Sequence, residues 1–173
     1  FMIEILIDKG AVEERIGGLA GQLVADYGDE SPVFIGVLNG AVQFMMDLIG
    51  QLPAEIQERL DYDFVDVSSY DGGTSRGEVT VNKEIAIEIE GRDVVVVDGI
   101  VDTGLTLELV LSMLEKRKPK SLRVCTLLDK PSRRQREVPV DYCGFTIEDR
   151  FVVGYGMDLD QRYRALRYIG VLE

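Results

Sequence analysis

Val94-Val95-Val96-Val97-Asp98-Gly99-Ile100-Val101-Asp102-Thr103-Gly104-Leu105-Thr106 is the stretch whose reading decides the fold. Four consecutive valines leave no polar face, so they read as a strand covered on both sides, the kind found inside a parallel sheet. The strand is expected to stop at Asp98-Gly99, ahead of a loop with a second carboxylate, Asp102. Beyond Thr103-Gly104-Leu105-Thr106, the apolar residues Leu107, Val110, Leu111 and Leu114 fall at i, i+3, i+4 and i+7 and predict a helix. A strand, a small polar turn and a helix N-terminus together build an anion site. The first helical N–H groups have no internal partner, and the helix dipole favours negative charge there. Thr103 and Thr106 add hydroxyl donors, and Gly104 is expected to let the backbone approach a ligand closely. The loop therefore reads as a cradle for a phosphate monoester. Asp98 and Asp102 beside it suit a sugar hydroxyl pair, a magnesium ion or a proton transfer. No Lys follows the glycine and no GxGxxG occurs, so this is neither a P-loop nor a dinucleotide fingerprint.

Working outward, the same strand–turn–helix logic recurs. Val33 to Leu38 reads as a buried strand ending at Asn39-Gly40, and Ala41 to Leu52 as a helix with Phe44, Met45, Leu48 and Ile49 on its apolar stripe. Ile3 to Ile7 predicts a short strand, and Ala11 to Tyr27 a helix stopped by Gly28. Leu60 to Ser68 and Val79 to Ile89 predict strands around a Gly-rich polar loop, Ser69 to Gly77. Leu122 to Leu128 predicts a strand running into Asp129-Lys130-Pro131. Lys130 stands at the carboxyl end of that strand, the edge where open parallel sheets hold ligands. Lys116 to Lys120 reads as a solvated helix end, and Arg133, Arg134 and Arg136 as surface residues of a turn. Short strands at Tyr142 to Ile147, Phe151 to Gly154 and Tyr168 to Leu172 complete an α/β chain.

Composition bounds the chemistry. The 173 residues suit one domain, and no apolar run approaches the length of a membrane span, so a cytoplasmic location without a secretory leader is expected. A net charge of −12 argues against nucleic-acid binding. With no His and only Cys125 and Cys143, a structural zinc site and His-based catalysis are excluded, and the cysteines are expected to be buried free thiols. Carboxylates, Lys, Arg, Tyr or a metal must carry any reaction.

The segment from Asp98 to Thr106 resembles the phosphoribosyl-pyrophosphate motif of type I phosphoribosyltransferases, and the chain from about Ile3 to Leu172 resembles the bacterial hypoxanthine(-guanine) branch of that family. The resemblance implies an open, mainly parallel twisted sheet flanked by helices, in a single domain over residues 1–173. A small hood would come from about residues 1–10 and 150–173. It implies transfer of the phosphoribosyl group from phosphoribosyl pyrophosphate to a 6-oxopurine in purine salvage. Asp102 would be the general base or acid at the purine imidazole nitrogen. Asp98, Asp102, Thr103, Gly104, Leu105 and Thr106 would hold the phosphoribosyl group, and Leu38, Asn39, Gly40 and Arg164 the pyrophosphate. Lys130 would donate to the exocyclic purine oxygen, Phe151 would stack on the base, Val152 would read its edge through the backbone, and Asp158 would complete the purine site. Mg2+ is implied, with Asp158 and Asp98 as its protein ligands. Ser68, Ser69 and Tyr70 would begin a lid that excludes water, and the family often carries a cis peptide in the Leu38-Asn39-Gly40 loop. A homodimer or homotetramer is implied.

The chain departs from the family in one place. Two adjacent acids normally follow the buried strand, and here Asp98 is followed by Gly99. Weaker phosphoribosyl-pyrophosphate binding and reduced activity are the expectation, with Gly99→Asp improving the Michaelis constant. The same departure leaves an alternative: a catalytically weak nucleotide sensor or regulator on the same fold.

Overall fold

The computed structural model describes residues 2–70 and 78–173. Its centre is the valine strand, β5 (Asp93–Val101), preceded by β1 (Ile3–Ile7), α1 (Lys9–Tyr27), β2 (Val33–Val37), α2 (Val42–Gly50), a short α3 (Ala54–Gln57), β3 (Tyr62–Tyr70) and β4 (Glu78–Lys83). After it come α4 (Leu105–Glu115), β6 (Ser121–Asp129), a 3-10 turn (Pro131–Arg133), β7 (Tyr142–Thr146), β8 (Val152–Val153) and β9 (Ile169–Leu172). Six strands form one sheet in the order β4-β3-β2-β5-β6-β7, parallel except for the β3–β4 pair. The pleat explains the valine run. Val95 and Val97 join the core beneath α1 and α2, whereas Val94 and Val96 join the one beneath α4. Both faces are covered, so neither tolerates a polar residue.

β5 does not stop at Asp98-Gly99. Its ladder to β6 continues through Asp98↔Thr126, Ile100↔Leu128 and Val101↔Asp129, and Val101 is buried. Gly99 reads as a turn residue from its neighbours, but its absent side chain serves a close backbone contact inside the strand. α1 likewise begins two residues early, because the Asp8 carboxylate accepts from Ala11 N at 2.8 Å and caps it.

The strand expected over Val79 to Ile89 ends at Lys83. The chain beyond Lys83 is held by Asp63, whose Oδ2 accepts from the N–H groups of Ala86 (2.7 Å) and Ile87 (3.2 Å). Its Oδ1 accepts from Phe64 N at 2.7 Å and Lys83 Nζ at 3.0 Å. This folds Ile85 and Ile89 onto the α4 side of the sheet, where both are buried. Burial pushes the Asp63 carboxyl up, but the backbone donors and Lys83 outweigh it and hold the group at about 2. A depressed folded value means that the stabilisation is complete above about pH 4 and is lost as pH falls toward 2. Asp63→Asn is expected to lower stability by about 1–3 kcal/mol at neutral pH. In urea unfolding the gap between variant and parent should close between pH 4 and 2.

A second sheet, in the order β1-β9-β8, is wholly antiparallel and joins the first residues to the last. Leu172 N donates to Phe151 O at 3.2 Å, so this sheet carries the segment that ends beside the carboxyl ends of β5 and β6.

Candidate active site

The predicted phosphate loop forms at the end of β5. Gly104 caps α4 in the left-handed region (φ 86°), with no side-chain cap on the helix. Thr103 Oγ1 reaches Leu105 N only at 3.4 Å, so the first-turn donors stay available. A cavity of about 80 Å3 there is lined by Asp98, Asp102, Thr103, Gly104 and Thr106 together with Ile100, Val101 and Leu107. Leu105 itself faces outward, 42% exposed, so any part it plays is through its backbone.

The loop is shaped by residues that read as surface. Gln135 N and Arg136 N both donate to Thr103 O (2.8 and 3.1 Å). Arg134 Nη1 donates to Asp102 O at 2.8 Å, while its Nη2 pairs with Asp129 Oδ1 at 2.5 Å. Arg134 and Asp129 side chains are only 16% and 14% exposed, so Arg134 is an internal strut. Gly104 also has a different reason from the one expected. A Cβ there would lie 2.6 Å from Arg136 O, so the close neighbour is the chain itself. Arg134→Met is expected to destabilise the protein by about 1–3 kcal/mol and loosen the loop, read as a lower urea midpoint. The available signal was a cluster of cations placed directly after a strand that ends at the ligand edge.

A cleft of about 360 Å3 adjoins this loop. It brings together Asn39, Gly40, Asp102, Lys130, Phe151, Val152, Asp158 and Arg164, with Ile100, Gly156 and Met157. These come from six separate stretches of sequence. Lys130 is one of two buried polar side chains among the described residues, at 6% exposure, with Asp149 Oδ1 4.0 Å from its Nζ. Phe151 is 52% exposed, whereas Val152 is buried. The Asp102 carboxylate accepts from Arg133 Nε at 3.1 Å. Arg164 donates to Gly156 O at 2.7 Å and pairs with Asp158 at 3.4 Å, and Asp158 Oδ2 accepts from Gln161 N at 2.8 Å. The Leu38–Asn39 peptide is cis. Leu38 itself does not line the cleft; its N–H is used by Val65 O at 2.9 Å.

Asp98 lies apart from Asp158, in the smaller cavity. Burial pushes its carboxyl up to about 7, against the lowering effect of the Ile100 and Gly99 N–H groups. No cluster of three or more His, Cys, Asp or Glu side chains able to hold a metal occurs among the described residues. An ion here would take one or two carboxylates and draw its remaining oxygens from a phosphorylated ligand, the habit of Mg2+. Gly99 packs where a Cβ would lie 2.8 Å from Gly40 O, so restoring an acid there cannot be a simple gain. Gly99→Asp, expected from the sequence to improve binding, instead meets the backbone of Gly40. Of the expected lid, Ser68 lies in β3 with its Oγ accepting from Asn82 Nδ2 at 3.0 Å. Ser69 and Tyr70 continue the strand, and the loop after them, 71–77, lies outside the described residues. A larger open hollow of about 630 Å3 lies by α1 and α2, but Asp102, Lys130 and the phosphate loop do not line it.

Residues 2–160 match the family described as phosphoribosyl transferase domain. The hypoxanthine-guanine phosphoribosyltransferase of Bacillus subtilis is 44% identical over 171 residues, covering 98% of this chain and 93% of that protein. The hypoxanthine phosphoribosyltransferase of Escherichia coli is also 44% identical, over 97% of this chain and 94% of that protein. A crystal structure of a hypoxanthine phosphoribosyltransferase from Staphylococcus aureus superposes with a TM-score of 0.90 at 43% identity, covering 98% of this chain and 91% of that one. With the anion loop, the buried lysine and the carboxylate all at one sheet edge, this chain belongs to the type I phosphoribosyltransferases, among their hypoxanthine(-guanine) members.

Proposed function

We propose that this enzyme moves the 5-phosphoribosyl group of phosphoribosyl pyrophosphate onto hypoxanthine or guanine, giving IMP or GMP and pyrophosphate. The observation that carries the reading is the junction of the α4 anion loop with a cleft lined by Asp102, Lys130, Phe151 and Arg164. The 5′-phosphate sits against residues 103 to 106, whose N–H and hydroxyl groups suit a dianion. The purine N9 forms a bond to C1′ as the bond from C1′ to the pyrophosphate oxygen breaks. The imidazole proton of the base passes to Asp102. Lys130 donates to the 6-oxo group, and an amino group there would face an ammonium, which rejects adenine. Phe151, half exposed toward the cleft, stacks on the base, Val152 reads its edge through the backbone, and Asp158 closes the purine side. Asn39, Gly40 and Arg164 receive the pyrophosphate. Mg2+ bound through the substrate phosphates, with Asp98 or Asp158 as protein ligand, would neutralise the leaving group.

Residues 1–173 are read as one domain, with the β1-β9-β8 sheet as its hood. Ser68, Ser69 and Tyr70, at the end of β3, begin the lid. Free Cys125 and Cys143 suit a reducing cytoplasm, and a homodimer or homotetramer is the assembly that the family resemblance supports. The experiment is a spectrophotometric assay with hypoxanthine, guanine, xanthine and adenine, with and without Mg2+. Turnover of 6-oxopurines, dependent on Mg2+ and absent with adenine, is expected. No turnover of any base would overturn the reading in favour of a nucleotide sensor, which no observation on this structure favours.

A further inference from the structure

Behind two of the residues that line the cleft, Asp102 and Lys130, runs a row of alternating charge that the transfer of the phosphoribosyl group does not itself require. Arg133 Nε donates to Asp102 Oδ1 at 3.1 Å, Arg133 Nη1 lies 3.7 Å from Asp149 Oδ2, and Asp149 Oδ1 lies 4.0 Å from Lys130 Nζ. The row thus runs Asp102, Arg133, Asp149, Lys130, and its two ends are the side chains assigned to the two faces of base recognition. Arg133 is anchored for this. It ends the 3-10 turn after β6, and its N–H donates to Lys130 O at 3.1 Å. The Lys130 N–H in turn donates to Val101 O at 2.9 Å, so the turn is tied to the end of β5, one residue from Asp102.

As an ordinary ion pair this contact would matter little. The Arg133 and Asp102 side chains are 47% and 39% exposed, a setting in which water screens most of the attraction. Its geometry is what sets it apart. Arg133 is the donor that meets the Asp102 carboxylate among the described residues, and it takes one oxygen only. Oδ1 is thereby engaged, and Oδ2 accepts from no side chain or backbone group among the described residues. A second feature suits a group that must gain a proton. When Asp102 is neutralised, Arg133 keeps Asp149 as a counter-charge, so no cation is stranded at the moment of transfer.

We infer that Arg133 is a positioning residue for the transfer: it orients the Asp102 carboxylate so that Oδ2 meets the imidazole proton of the incoming purine, while Asp149 holds Arg133 between the base-handling carboxylate and Lys130. The inference rests on the assignment of Asp102 as the proton acceptor, and the test separates the two. Arg133→Ala, Arg133→Lys, Asp149→Asn and Asp102→Asn are compared with the parent in kcat, in both Michaelis constants and in the single-turnover rate with enzyme in excess over hypoxanthine. Misplacing a catalytic group by about 1 Å costs about a hundredfold, so Arg133→Ala is expected to slow the single-turnover step by about 10–100-fold. The Michaelis constant for phosphoribosyl pyrophosphate should stay within about threefold, and the melting temperature close to the parent's. Arg133→Lys, which restores a donor at a similar reach, should recover most of the rate. Asp149→Asn should give a smaller loss of the same kind. If Asp102→Asn is inactive but Arg133→Ala keeps the parental single-turnover rate, the positioning role is refuted while Asp102 keeps its own. If Arg133→Ala proves unstable, parental rates in both Arg133→Lys and Asp149→Asn, with the thermal loss as the only effect, would equally refute it. Full activity in Asp102→Asn would overturn the assignment on which the inference stands.

Discussion

Asp102→Asn is expected to lower kcat by about 10²–10⁴-fold, the range set by removal of a general acid or base. The substitution is chosen because it leaves the surroundings in place. An amide oxygen can still accept from Arg133 Nε, and the backbone carbonyl of Asp102 remains held by Arg134 at 2.8 Å. The side chain is part-exposed, so no buried charge or cavity is created. What disappears is the basicity of the oxygen that Arg133 leaves free. Binding of phosphoribosyl pyrophosphate should change by only a few fold, because the anion loop draws its donors from α4 and from Thr103 and Thr106. The loss therefore belongs in kcat, and steady-state kinetics with hypoxanthine varied at saturating phosphoribosyl pyrophosphate measures it. A rise in the Michaelis constant with kcat unchanged would mean that Asp102 serves in binding alone.

Gly99→Asp is expected to harm the enzyme rather than repair it. The Cβ of any residue at 99 would stand 2.8 Å from Gly40 O and 3.2 Å from Gly40 C, both backbone atoms. Gly40 is gripped from a second side as well: a Cβ at Gly156, whose φ is 95°, would come within 2.2 Å of the same oxygen. The atoms that must give way at position 99 are backbone, with the Gly156 backbone packed close to the same carbonyl, so the 39–41 loop must shift. Overpacking of this sort costs about 1–3 kcal/mol. The aspartate adds a carboxylate at a buried position beside Asp98 and the partial negative charge of the carbonyl, which costs several kcal/mol more when unpaired. Gly99→Asp should thus unfold at clearly lower urea concentration, and its Michaelis constant for phosphoribosyl pyrophosphate should rise by about tenfold or more, since about 1.4 kcal/mol of lost contact suffices. Gly99→Ala isolates the packing effect and should show the smaller share of both losses. An improved Michaelis constant in Gly99→Asp would show that the loop yields freely and that the missing acid is what limits binding.

The parts of this molecule that were legible in the chain are those whose cause is local. The valine run announces a strand covered on both faces because no alternation survives in it, and Leu107, Val110, Leu111 and Leu114 announce α4 because their spacing is that of one helix face. Lys130 could be singled out because a strand points it at the ligand edge. The parts that were not legible depend on neighbours distant in sequence. Gly99 looks like the end of a strand until Gly40 arrives beside it. Arg134 looks like surface until Asp129 and the carbonyl of Asp102 close around it, and Arg133 until Asp102 does. Asp63 looks like one more polar position in an alternating strand, yet it terminates β4 by capturing two N–H groups more than twenty residues away. Roles set by resemblance, such as those of Phe151, Asp158 and Arg164, had no independent support from residue type. Their shared lining of one cleft is the first physical argument for them.

The pairing of Ile3 with Leu172 and of Glu4 with Val171 has a temporal meaning during synthesis. Ile3 and Glu4 are made long before Val171 and Leu172, so they wait for those mates before they can pair. Phe151 is fastened to Leu172, so the wall against which the nucleobase rests is completed only once Leu172 has been made. A nascent or prematurely terminated chain can already possess its valine strand and phosphate cradle, yet it has nowhere to seat a purine, and catalytic competence comes as a late, all-at-once event.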